Sequence, residues 1–206
     1  MDINVIQVGP LMVNCYIVHD SQNCIIIDPG DEADKIINYI RNSGLKPLGI
    51  FNTHGHFDHI GAVKKLKEEF GIKFYIHESD VFLVKESASH GAFFGITGVE
   101  SPEVDEYVKD GDVFDFDGLS FKVIHTPGHS PGGVCYYFER EKSVFSGDTL
   151  FELSIGRTDF PYGDMDMLLN SIKNKLFSLG DEISVYPGHG AKTSIRKEKE
   201  NNMFLK

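Results

Sequence analysis

Long apolar runs, basic clusters and a paired set of cysteines are all missing from this chain. No segment approaches the roughly 20 consecutive apolar residues of a membrane-spanning helix, so a membrane partner is not expected. The opening residues, Met1-Asp2-Ile3-Asn4, are not a basic stretch leading into an apolar one, so no secretory signal is expected either. Lysine and arginine number 20 against 31 acidic side chains, for a formal net charge of -11. The densest basic run, Arg196-Lys197-Glu198-Lys199, is broken by an acid and reads as a solvated face. Without a stripe of cations to track phosphates, a nucleic-acid partner is not expected. The three cysteines are odd in number, and Cys15, Cys24 and Cys135 each sit in an apolar, strand-like run. Free, partly buried thiols in a reducing cytoplasm are the expectation, not a disulfide framework.

What is present suits one α/β domain spanning residues 1–206, because 206 residues at 41% hydrophobic can bury a substantial core. Ile3 to Val8, Val13 to Val18 and Cys24 to Ile27 read as strands, with turns at Gly9-Pro10 and Ser21-Gln22-Asn23. Asp31 to Asn42 has helical spacing, with Ile36, Ile37 and Ile40 on one face and Gly44 as a stop. A strand through Ile50 and Phe51 follows, then a helix from about Ile60 to Phe70 and a short strand from Lys73 to Ile76. From His77 to Asp112 the pattern loosens, and Ser89 to Gly95 sets Phe93 and Phe94 between glycines. That stretch reads as a substrate-facing loop, a plug on the core or an oligomer contact. Strands resume at Leu119 to Ile124, Gly133 to Phe138 and Ser143 to Phe145, with a last one at Ile183 to Tyr186. Between them a helix is expected after Asp164, whose carboxylate can cap it, with Met165, Leu168, Leu169, Ile172 and Leu176 buried.

Chemistry concentrates at the ends of the strands. Leu48-Gly49-Ile50-Phe51 runs into His54-Gly55-His56-Phe57-Asp58-His59, which places four imidazole or carboxylate ligands in one loop and no thiolate. A loop this short does not easily wrap all four around a single ion. Alternate side chains point to different sides, so His54 and His56 can serve one ion while Asp58 and His59 serve a neighbour. Three further strand ends repeat the arrangement, each with glycine before the ligand: Pro127-Gly128-His129, Ser146-Gly147-Asp148 and Pro187-Gly188-His189. His19, His77, His90 and His125 lack that setting and read as ordinary surface or core histidines. Gly128-His129-Ser130-Pro131-Gly132 fits the G-x-S-x-G pattern of serine hydrolases. The residue after that serine must offer a backbone N–H to the oxyanion, and Pro131 has none, so Ser130 is not the nucleophile.

The set H-x-H-x-D-H, T-P-G-H-S-P-G-G, S-G-D and P-G-H-G, in this order, resembles the metallo-β-lactamase superfamily. Within it the chain is most similar to the short bacterial proteins like glyoxalase II, the hydroxyacylglutathione hydrolases. The likeness runs from Asp28-Pro29-Gly30 through Gly156-Arg157-Thr158-Asp159-Phe160 to the tail. The resemblance implies an αββα sandwich, two mixed sheets face to face with helices outside and two divalent metal ions at one edge. It assigns His54, His56 and His129 to the first ion, and Asp58, His59 and His189 to the second, with Asp148 bridging. Asp28 falls where the family has an aspartate bracing the metal loop. Zinc is the leading metal; iron and manganese accept the same donors.

By the same likeness the reaction is hydrolysis of a small-molecule thioester, of the S-2-hydroxyacylglutathione type, to a hydroxy acid and a thiol. Two such ions lower the pKa of a bridging water and polarise the carbonyl, while Asp58 orients the nucleophile as it ligates. Full-length glyoxalase II carries a C-terminal helical region with basic residues for glutathione, and that region is expected to be missing here. Arg157 is then the candidate substrate-binding residue, or else half of an ion pair with Asp159 or Asp164. Rival readings are a persulfide dioxygenase using one iron, which shares the G-R-T-D-F segment, and a lactonase. A β-lactamase fits less well, because Asp148 supplies a carboxylate those enzymes typically lack.

Overall fold

The central strands of the first half are buried on both faces, and alternation sorts their side chains into two cores. On β2 (Val13–His19) and β3 (Asn23–Ile27), Cys15, Ile17, Cys24 and Ile26 face one cluster, and Tyr16, Val18, Ile25 and Ile27 face the other. A strand covered on both sides must lie between two layers, which is why these runs read as continuously apolar. The computed structural model describes residues 1–116 and 118–206.

The first sheet runs β1-β2-β3-β4-β5-β6, adding β1 (Asp2–Val8), β4 (Lys46–Phe51), β5 (Lys73–His77) and β6 (Glu106–Val108). Its outer face is covered by α1 (Ala33–Ser43), whose Ile36, Ile37 and Ile40 are buried and whose Gly44 closes it at φ 67°, and by α3 (Val63–Phe70). A short α2 (Phe57–Ile60) lies inside the metal-loop motif, so the helix expected from Ile60 to Phe70 is broken at Gly61-Ala62. The second sheet contains β7 (Val113–Phe116), β8 (Leu119–His125), β9 (Val134–Phe138) and β10 (Ser143–Gly147). After a small hairpin of β11 (Leu150–Phe151) and β12 (Ser154–Ile155), β13 (Ser184–Pro187) and β14 (Thr193–Ser194) complete it in the order β14-β13-β10-β9-β8-β7.

Between the sheets lies an aromatic core. Phe51 stacks on Tyr75 at 4.4 Å and meets Phe121 edge-on at 5.1 Å. Beyond the second sheet, Ile124, Cys135, Val144 and Val185 pack against Leu168, Ile172 and Leu176. This is the αββα sandwich the resemblance implied. The helix after Asp164 is α5 (Met165–Asn170), continued by one wide π turn to Leu176, and Asp164 caps it by accepting Met167 N–H at 2.8 Å. Met165 does not join the buried face as expected: it is the first helical residue and lies 42% exposed. The loose stretch holds an unforeseen helix, the longest described, over Val81–Phe93 (α4, in chain order before α5). Its apolar residues form no single stripe, so periodicity gives no signal. The three cysteines are free, as expected, but fully buried where partial burial was expected. Among the described residues no helix is long and apolar enough to cross a membrane.

Candidate metal centre

Each strand end delivers its ligand to the same edge of the sandwich. β4 leads into His54, His56, Asp58 and His59, β8 into His129, β10 into Asp148 and β13 into His189. Among the described residues, three groups have donor atoms within 4.8 Å of one another: His54, His56 and His129; His54, His59 and Asp148; and Asp58, His59 and His189. The two outer groups match the division expected of the loop, and Asp148 lies between them. The glycines preceding three of the ligands meet the geometric demand expected of them. Gly128 and Gly147 take φ of 137° and 48°, and at Gly188 a Cβ would overlap the Asp148 carboxylate and crowd the His59 ring.

The hydrogen bonds around the rings fix which nitrogen faces inward. His129 Nδ1–H donates to the Arg157 carbonyl at 2.8 Å, and His189 Nδ1–H to the Leu11 carbonyl at 3.0 Å. Thr53 Oγ1–H donates to Asp28 Oδ2 at 2.7 Å, so that hydroxyl oxygen accepts from His54 Nδ1–H at 3.0 Å. His56 Nε2 bonds the Tyr162 hydroxyl at 2.8 Å. Donation from Nδ1 leaves Nε2 of His54, His129 and His189 facing the cluster, the arrangement by which outer partners orient metal-binding imidazoles, and His56 Nδ1 lies 2.9 Å from His129 Nε2. His54 Nε2 and Asp148 Oδ1 are buried with no hydrogen-bond partner. Such groups are costly to leave unpaired, and a divalent cation satisfies both. Nitrogen and carboxylate donors without sulfur suit zinc, iron or manganese, so the residues fit the implied metals.

Two buried aspartates hold the loop in place. Asp28, a non-glycine residue at φ 50°, accepts Thr53 N–H and Oγ1–H at 2.7 Å each and lies 3.1 Å from His59 Nδ1. Aspartate tolerates that left-handed conformation better than most residues. This matches the bracing role the resemblance implied. Asp80 carries no comparable signal in the sequence. Its Oδ2 accepts Gly55 N–H at 3.0 Å and Ser130 Oγ–H at 2.7 Å, while Oδ1 accepts Gly132 N–H at 2.5 Å. One carboxylate thus ties the His54–His59 loop to the loop carrying His129. Burial pushes its pKa up against the pull of those three donors.

Ser130 is fully buried and donates to Asp80, so it is shut off from any substrate. Ser130→Ala is expected to keep most of the turnover and to cost about 1–2 kcal/mol of stability, read from thermal melts.

The electrostatics divide the cluster in two. Burial, then the neighbouring imidazoles, hold His54 and His56 well below the usual histidine range. Burial works in the same direction on His59, but the carboxylates of Asp148, Asp58 and Asp28 outweigh it and raise the ring to about 10. His189 is raised as well, against burial, by Asp58 and Asp148. Burial acts to raise Asp58, yet His59 and His189 pull it well below the usual carboxylate range. A proton therefore sits on the His59 side of the metal-free protein at pH 7. Adding zinc to apoprotein in weak buffer at pH 7 is expected to release at least about one proton per chain, measured with an indicator dye.

Above the cluster opens a cleft of about 660 Å³ lined by His56, Asp58, His129, Asp148 and His189 at its floor. Arg157 reaches the cleft, but its guanidinium is engaged by Asp159 at 2.6 and 2.8 Å and lies over the Phe160 ring at 4.3 Å. Phe93 and Phe94 also line the cleft. Tyr162, another wall residue, carries no sequence signal; it is recognisable only by its contact with His56. Three of the remaining histidines stay apart from the cluster: His77 and His125 stack on each other at 4.3 Å, and His19 bonds Asn4 and the Asp20 carbonyl; His90, expected to be an ordinary histidine, instead lines the cleft.

A sequence-family model described as the metallo-β-lactamase superfamily matches residues 8–189. The chain belongs to that superfamily. Hydroxyacylglutathione hydrolase GloC of Haemophilus influenzae is 38% identical over 208 residues, covering 100% of this chain and 98% of the relative. Among solved structures, the BLEG-1 B3 metallo-β-lactamase superposes with a TM-score of 0.91 at 38% identity, covering 99% of both chains. TTHA1623 in a di-iron-bound form also gives a TM-score of 0.91 at 38% identity, over 98% of this chain and 100% of that one. The superfamily and its fold thus agree with the sequence motifs, while the names of these relatives point to more than one substrate and to iron in one case.

Proposed function

We propose that this protein is a metal-dependent hydrolase that cleaves thioesters of 2-hydroxy acids to the free acid and a thiol. The observation that carries the reading is the set of inward-facing imidazole and carboxylate donors at and beneath the floor of an open cleft, grouped in two halves with Asp148 between them, with His54 Nε2 and Asp148 Oδ1 buried without a partner. His54, His56 and His129 would hold one ion, and Asp58, His59 and His189 a second, with Asp148 shared. The bound ions would supply a water of lowered pKa and Lewis-acid polarisation of the carbonyl. Asp58, ionised and facing the cleft, accepts the water's hydrogen bond and aims its oxygen at the acyl carbon. The second-nitrogen anchors on His54, His129 and His189 keep the rings from turning as charge develops. A thiolate leaves readily with little protonation, so no separate strong acid is required.

The likeness to GloC supports the thioester, and the likeness to BLEG-1 makes a β-lactam the substrate to exclude. The test combines metal analysis with parallel assays of one preparation: a lactoyl thioester, a chromogenic cephalosporin, and oxygen uptake with a persulfide. Thioester turnover with two metals per chain is expected. Oxygen consumption with a single iron, or cephalosporin cleavage without thioester turnover, would replace this reading.

A further inference from the structure

The outer wall of the cleft is built from aromatic rings. Phe94, at the end of α4, stacks on Phe57 at 5.6 Å, and Phe160 stacks on Tyr162 at 5.6 Å. Phe82 meets Tyr162 edge-on at 5.5 Å. These rings arch over the metal-binding floor, and all of them face the same cleft. At the rim, Phe93 is 85% exposed and Phe94 49%. Apolar surface of that size left in water is unfavourable unless something covers it, and here it continues inward to the reaction site.

The charges around this arch do not suit an anionic arm. Arg157 is the one guanidinium or ammonium side chain lining the cleft among the described residues, and Asp159 holds it through two bonds. Turning Arg157 towards a ligand carboxylate leaves Asp159 beside that carboxylate, so the pair offers no net positive charge. The other charged wall residue is Glu86, which lies 3.4 Å from His90 Nε2. A glutathione arm brings two carboxylates and one ammonium into these surroundings; Glu86 can face the ammonium, but each carboxylate would lose water without gaining an opposite charge from the wall.

We propose that the site takes thioesters whose thiol arm is apolar and uncharged, an aryl or alkyl group seated on the arch of Phe82, Phe94, Phe160 and Tyr162. The proposal rests on the thioester-hydrolase reading above. In the reaction the water oxygen bonds to the acyl carbon and the carbon–sulfur bond breaks. One water proton passes to the departing sulfur, and the other is released as the acid ionises. Phe82 and Phe94 reach only the departing arm, so they act on selection among thioesters and leave the bond-breaking step unchanged, whereas Tyr162 also holds His56.

The test uses metal-loaded protein and three lactoyl thioesters that differ only in the thiol: benzyl mercaptan, N-acetylcysteamine and glutathione. The benzyl thioester is expected to exceed the glutathione thioester by about tenfold or more in kcat/KM, mainly through KM, with N-acetylcysteamine between them. Phe82→Ala and Phe94→Ala should each narrow that ratio, with circular dichroism confirming an intact fold. In the apoprotein, benzyl alcohol should shift the phenylalanine resonances more than S-methylglutathione does. Glutathione thioester cleavage as efficient as that of the benzyl thioester overturns this proposal and leaves hydrolysis standing. Cleavage of none of the three overturns both.

Discussion

Replacing Asp148 with alanine lowers thioester hydrolysis by about a thousandfold or more and takes the metal content from two ions per chain towards one. The expectation follows from where the carboxylate sits. Its Oδ1 lies 3.5 Å from His59 Nε2, and its Oδ2 lies 3.6 Å from both His129 Nε2 and His189 Nε2. No other anion reaches both halves of the donor set among the described residues. Two unit charges about 4 Å apart at an effective dielectric of about 20 interact by about 4 kcal/mol, and two dications by about four times as much. Without a shared anion to offset that repulsion, double loading fails. Oδ1 takes part in no hydrogen bond, but in the apoprotein the carboxylate supports the charge on buried His59 and on His189. The apoprotein of Asp148→Ala should therefore melt below the parent at pH 7, and metal content measured where both are folded is the deciding readout. A variant that still binds two metals and keeps a tenth of the activity would show that Asp148 is not the shared ligand.

Asp80→Ala gives a large loss of stability that needs no metal to be seen. Removing the carboxylate strands Gly55 N–H, Gly132 N–H and Ser130 Oγ–H in a buried place that this side chain alone fills. An unsatisfied buried donor costs about 1–3 kcal/mol, so with partial relaxation the total is about 3 kcal/mol. For a chain of this size that lowers Tm by about 6–12 °C, measured on apoprotein by calorimetry. Asp80→Asn keeps the shape but turns an amide donor towards at least one of the three donors, so it should recover only part of the loss. The two loops joined by Asp80 carry His54, His56 and His129, and zinc affinity should fall in both variants. A melt within 1–2 °C of the parent for Asp80→Ala would sink the bracing role.

Much of this site is legible in the amino-acid sequence, and the reason is local. Ile50-Phe51, Val123-Ile124, Phe145 and Val185 mark strands by composition and alternation, and the turn residues after them mark where those strands stop. A ligand one turn beyond a strand end is a feature of a few consecutive residues. Local pattern likewise places α1 with its Gly44 stop, and the Asp164 cap of α5. It fails where elements are short or lack a stripe. α4 buries Leu83, Val84, Ser87 and Gly91, which form no apolar repeat, and the edge strands β6 and β7 span only three and four residues. Periodicity misplaces Met165 because a helix's first turn often lies outside the packed layer.

The sequence by itself determined the donor types, their division between strand ends and the superfamily, because each depends on neighbours along the chain. Tertiary structure alone decided which nitrogen of His129 and His189 faces inward, since their partners, the Arg157 and Leu11 carbonyls, lie 28 and 178 residues away along the chain. It also decided that Asp80 joins two ligand loops, and that Arg157 is tied to Asp159 beneath an aromatic wall. Contacts across that many residues form only when the two sheets close on each other. The donor set is therefore written in the strand ends, whereas the character of the cleft above it arises only when α4 and the Phe160–Tyr162 loop come together over the edge of the sandwich.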